Sequence, residues 1–123
     1  MQLTVVLSVA AAGALGALCR YVATVLLRSL LGEGPWPVAV VNVVGCFGFG
    51  LCWALLHERV SQTVSVAVLA GFFGAFTTFS AFAFDGHQLL DERRVASFAL
   101  NVLLQNVLGV AALWLGMTLA SRS

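Results

Sequence analysis

Gly71-Phe72-Phe73-Gly74-Ala75-Phe76-Thr77-Thr78-Phe79-Ser80-Ala81-Phe82-Ala83-Phe84 lies at the end of a stretch without a formal charge from Val60 to Phe84. Two glycines, three hydroxyl side chains and six of the nine phenylalanines share these fourteen positions. In hydrocarbon an exposed backbone or hydroxyl group costs several kcal/mol, so irregular polar sequence survives there beside a water- or ion-filled path, or packed in protein. One reading is a helix broken next to such a path. The other is a kinked helix packed through its small residues.

The rest of the chain makes this a membrane question. Of 123 residues 61% are hydrophobic and 9% charged, and all six basic residues are arginine. A soluble domain carries about 25% charged residues. The uncharged runs 1–19, 34–56, 60–84 and 95–121 each approach or exceed the roughly 20 residues that span a bilayer. Four transmembrane helices follow, joined near 28–35, 57–61 and 85–94, and residues 1–123 form one all-α membrane domain. The N-terminus is apolar without a basic leader and reads as the first span, not as a cleaved signal. Cys19, Cys46 and Cys52 are odd in number, lie within spans and lack C-x-x-C spacing, so they read as packing residues.

With four spans, Arg59 and Arg122 fall on one side, and Arg28, Arg93 and Arg94 on the other with Arg20 close by. Orientation needs a clear excess of basic residues on one side, and this distribution gives none. Copies inserted both ways could pair as an antiparallel dimer.

In the first span Gly13, Gly16, Ala17 and Arg20 share a helical face, with small residues for close approach. Arg20 either snorkels to the interface beside Tyr21 or places a positive charge at the mouth of an anion path. The second span opens with Gly34-Pro35-Trp36-Pro37, where proline at a helix start costs no hydrogen bond. Within it Asn42 is the one strongly polar side chain, at i, i+4, i+8 with Cys46 and Gly50. It either bridges helices or donates its two amide hydrogens to an anion.

In the third span Thr77 and Ser80 share a face, as do Thr78 and Phe82, and the rings of Phe79 and Phe82 lie one turn apart. The ring edge is the positive end of the aromatic quadrupole, so paired rings can line an anion path. The fourth span carries Asn101, Gln105 and Asn106, an amide face that glues helices, holds an ion, or does both. His57, His87, Asp85, Asp91 and Glu92 read as loop residues, leaving no carboxylate in any span. Pumps and cation carriers place one there, whereas hydroxyls, amides, ring edges and one arginine suit an anion. No nucleophile–base pair or metal constellation marks an enzyme.

Three motifs resemble the Fluc (CrcB) family of fluoride channels: Gly16-Ala17-Leu18-Cys19-Arg20-Tyr21, Val41-Asn42-Val43-Val44-Gly45, and the run from Gly71 to Phe82. The resemblance covers nearly the whole chain. It implies a third helix broken mid-membrane and an antiparallel, dual-topology homodimer of four-helix subunits in a bacterial plasma membrane. It implies two fluoride pores per dimer, passive export of fluoride, and a structural sodium ion (Na+) on the two-fold axis. By motif, Asn42, Phe79, Phe82, Ser80 and Thr78 belong to the fluoride pore and Arg20 to the vestibule. Gly74 and Thr77 supply sodium-binding carbonyls. Ala75 and Ala81 depart from the family's usual glycine and hydroxyl residue, and Ala81 removes one hydroxyl from the polar track. The partners implied are a second copy, fluoride and membrane lipid, with no nucleic acid. The rival readings are a small multidrug-resistance-type transporter, which needs a carboxylate absent from Leu3 to Leu27, and a non-conducting membrane scaffold.

Overall fold

The computed structural model describes residues 1–123 and is entirely helical. Helix α1 runs Leu3–Leu31, α2 Trp36–Leu56, and α6 Val95–Ser121. Between α2 and α6, the third hydrophobic unit consists of α3 (Gln62–Val66), a π-helical segment (Ala67–Phe73), α4 (Gly74–Phe76) and α5 (Phe79–Asp91). Four units of 29, 21, 30 and 27 residues are long and apolar enough to cross a bilayer. At about 1.5 Å per residue the shortest reaches roughly 32 Å, enough for the hydrocarbon core. The chain is a multi-pass membrane protein.

Tight turns join the units. Gly32, at φ 79°, ends α1 by returning its N–H to Arg28 O, and Glu58 and Arg93 take the left-handed region in the other two turns. The third connection is shorter than the sequence indicates. Helix α5 continues to Asp91, so Asp85, His87 and Asp91 are helical residues and not loop residues. The reason is packing: Gly86 and Leu89 are buried on this turn, and Gly86 sits against the Phe98 ring of α6. An apolar face sustains the helix past its first charge. Two carboxylates therefore do lie in a membrane-capable helix, Asp91 as its last residue and Asp85 beside the Glu33–Pro35 turn.

Two pairs of helices set the packing, both through small residues. A Cβ on Gly16 would overlap Phe72 O, and one on Gly71 would stand 3.0 Å from Val9 O, so α1 and the π-helical segment meet backbone to backbone. Likewise Gly50 of α2 faces Leu113 O, and Gly116 of α6 faces Phe47 O. Lipid tails are as apolar as leucine, so close van der Waals contact of this kind, not hydrophobic burial, holds helices together in a bilayer.

Candidate anion cleft at the interrupted third helix

Helical backbone geometry stops at two residues. Thr77 (φ −86°, ψ 156°) and Thr78 (φ −149°, ψ 121°) are extended, between α4 and α5. Thr78 caps α5, its Oγ1 accepting from Ala81 N at 3.2 Å, the usual service of a hydroxyl at a helix start. Thr77 turns its hydroxyl back to Phe73 O at 2.9 Å. The backbone groups released by the interruption find partners on neighbouring helices. Thr78 N–H, which an unbroken helix gives to Gly74 O, donates to Asn42 Oδ1 at 2.8 Å. Asn42 Nδ2 donates to Thr78 O at 3.0 Å. Arg20 Nη1 donates to Thr77 O at 3.3 Å.

Beside these bonds a cleft of about 210 Å³ is lined by Asn42, Cys46, Thr77, Thr78, Phe79, Phe82, Gln105 and Asn106. No carboxylate and no cation is among them. The Phe79 and Phe82 rings lie 5.4 Å apart with planes at 52°. Phe79 is 79% exposed, so the cleft is open along one side of the chain. Phe72, Phe73 and Phe76 pack against one another, Phe72 stacking on Phe76 at 5.9 Å and meeting Phe73 edge-on at 5.1 Å, while Phe84 is exposed.

The structure thus gathers Asn42, Thr77, Thr78, Phe79 and Phe82 at one cleft. Ser80 lies outside the lining, exposed, with its hydroxyl 3.1 Å from Thr78 Oγ1. The helical spacing that pairs Thr77 with Ser80 does not hold here, because the extended residues reset the angular count. Arg20 also lies outside the lining, anchored on the Thr77 carbonyl. Gly74 opens onto a separate cavity of about 180 Å³ with Gly45, Cys46, Phe49, Phe73, Thr77 and Leu113.

Three lining residues are additional to the motif: Cys46, Gln105 and Asn106. Cys46 follows from its i, i+4 spacing to Asn42. Gln105 is signalled by the amide pair it makes with Asn101, where Gln105 Nε2 donates to Asn101 Oδ1 at 2.9 Å. Its bond from Asn42 Nδ2, at 2.8 Å, joins α2 to α6 and has no local sequence signature.

Known proteins resemble this chain over nearly its full length. The family model described as CrcB-like protein, Camphor Resistance (CrcB), matches residues 7–117. A Nitrosococcus oceani protein named fluoride-specific ion channel FluC is 44% identical over 115 residues, covering 91% of this chain and 92% of its own. A protein of the same name from Solidesulfovibrio magneticus is 46% identical over 114 residues, covering 90% and 91%. Another from Nitratidesulfovibrio vulgaris is 42% identical over 120 residues, covering 95% of each chain. With the family match over residues 7–117 and relatives aligned to nine-tenths of its length, the chain belongs to the CrcB (Fluc) family, a family of ion channels and not of enzymes.

Proposed function

We propose that this chain is a passive, fluoride-selective channel that exports fluoride from the cytoplasm. The observation that carries an anion path is the cleft itself: amide and hydroxyl groups and two phenylalanine rings line it, with no carboxylate to repel an anion. Fluoride in particular comes from the name its relatives carry. Asn42 supplies N–H donors, Phe79 and Phe82 supply positive ring edges, and Thr78 with Ser80 continues a hydroxyl track. Arg20 draws anions toward the path from the vestibule.

The exposed flank of Phe79 supports a second copy closing the cleft. In an antiparallel dimer each chain brings one cleft, giving two pores, with the interruption at Thr77–Thr78 placed mid-membrane. The near-balanced arginines agree with insertion in both orientations. The donor set at the interruption fits a hard cation. Gly74 O has lost its helical donor to Asn42, and Thr77 O keeps a lone pair beside its bond from Arg20. Gly74 and Thr77 of both copies would hold sodium on the two-fold axis, as unwound carbonyls do in transporters. A bound sodium would supply positive charge that ties the two interrupted helices together.

Efflux from fluoride-loaded liposomes tests this reading. Fluoride should leave down its gradient with charge compensated, and continue after the proton gradient is collapsed. No efflux, or efflux that stops with the proton gradient, would remove the channel reading.

A further inference from the structure

Of the three amides that line the cleft, Asn42 has both hydrogens committed. Nδ2 gives one to Thr78 O at 3.0 Å and the other to Gln105 Oε1 at 2.8 Å. Gln105 and Asn106 each make one donor bond, to Asn101 Oδ1 and Val102 O. The direction of the whole chain follows from one backbone group. Thr78 N–H can only donate, so the atom facing it is Asn42 Oδ1. Asn42 must then present Nδ2 to Gln105, Gln105 must answer with Oε1, and its Nε2 must face Asn101 Oδ1. This leaves Asn101 Nδ2 as the outer end, in a residue that is 0% exposed and without a partner for that nitrogen. A buried orphan donor is costly, so the arrangement persists because the rest of the chain is well satisfied.

An anion entering the cleft finds Asn42 already occupied. We propose that Gln105 is a placeholder for the permeating anion: its Oε1 holds one Asn42 hydrogen when the path is empty and yields it when an anion arrives. This deepens the proposed function and rests on it. The exchange has a physical advantage over an open donor. An N–H left bare in the empty path would bind an anion hard and release it slowly, whereas conduction needs entry and exit in balance. Exchanging a neutral acceptor for a charged one still favours entry, because a hydrogen bond to an ion is roughly twice as strong as a neutral one. Gln105 acts through Asn42, so it is a positioning residue. Its tether to Asn101 sets how readily it lets go.

The test is the fluoride concentration that gives half-maximal flux in liposomes, measured on the full chain and two variants. Gln105→Leu removes the internal acceptor and frees the Asn42 hydrogen. The half-saturating concentration should fall about threefold to tenfold, the weight of one net hydrogen bond. Gln105→Glu keeps an acceptor, makes it anionic and places a like charge beside the path. The same concentration should rise on the order of tenfold or more. Gln105→Met stands in if Gln105→Leu fails to give an intact dimer by size exclusion, with the same expected fall. A merely structural Gln105 moves both variants alike, with lower maximal flux and no opposed shift, and that result would overturn the proposal. A rise with Gln105→Leu would mean that the anion sits on the amide of Gln105 itself, which also overturns it. No flux from the unaltered chain would instead remove the channel reading, a separate outcome.

Discussion

Asn42→Asp is a near-isosteric change that the cleft should not tolerate. The new carboxylate keeps an oxygen for Thr78 N–H but replaces Nδ2 by a second oxygen. That oxygen would face Thr78 O and Gln105 Oε1 across the 3.0 and 2.8 Å that now hold hydrogen bonds. Losing two net bonds costs about 2 kcal/mol of stability, enough to loosen the extended pair without unfolding four helices. The larger effect falls on the ion. With an anion roughly 6 Å from the carboxylate and an effective dielectric of about 20, like-charge repulsion is nearly 3 kcal/mol. That is on the order of a hundredfold in occupancy. Fluoride efflux and dimer fraction should be measured on the same preparation, and flux should collapse while most of the dimer survives. Lowering the pH protonates the new carboxyl, removes the charge and restores one donor, so residual flux should rise toward acid. Flux through Asn42→Asp equal to that of the unaltered chain would refute the role given to this residue.

Other consequences follow from the same geometry. Phe79→Ile and Phe82→Ile keep apolar bulk but remove the ring edge, so each should lower fluoride flux at least tenfold in order of magnitude with little change in dimer yield; loss of dimer with normal flux per dimer would make the rings packing groups. Gly16→Ala drives a methyl into the Phe72 carbonyl and should destabilise the α1 contact by about 1–3 kcal/mol, read as a lower thermal midpoint in detergent; an unchanged midpoint would mean that α1 and the π-helical segment are not held in contact. A reporter fused after Ser123 should be found on both faces of the membrane, and a single location would contradict dual insertion.

The four membrane-capable helices were legible because charge marks their ends: Arg59 and Glu92 to Arg94 stand at turns, and 34–56 is almost the span of α2. Small residues at helical spacing foretold the contact face of α1, since Gly13 and Gly16 meet Gly71 and Phe72. The segment from Gly71 to Phe84 marked an irregular place but not its location, which depends on Asn42 reaching both backbone groups of Thr78 from another helix. Gln105 is visible in the sequence as half of an i, i+4 amide pair, while its bond to Asn42 spans 63 positions and leaves no periodic trace. Asp85 lies in a helix where the charge pattern indicates a loop, for the opposite reason. A charge ordinarily ends a membrane run, but buried Gly86 and Leu89 carry α5 beyond it.

A current measurement in a planar bilayer, with opposed gradients of fluoride and chloride and both ions present on each side, tests the central claim most directly. A path lined by Asn42, Thr78, Phe79 and Phe82 that selects fluoride should reverse its current close to the fluoride equilibrium potential and carry no measurable chloride. Reversal near zero or near the chloride potential, or the absence of any current from intact dimer, would contradict it.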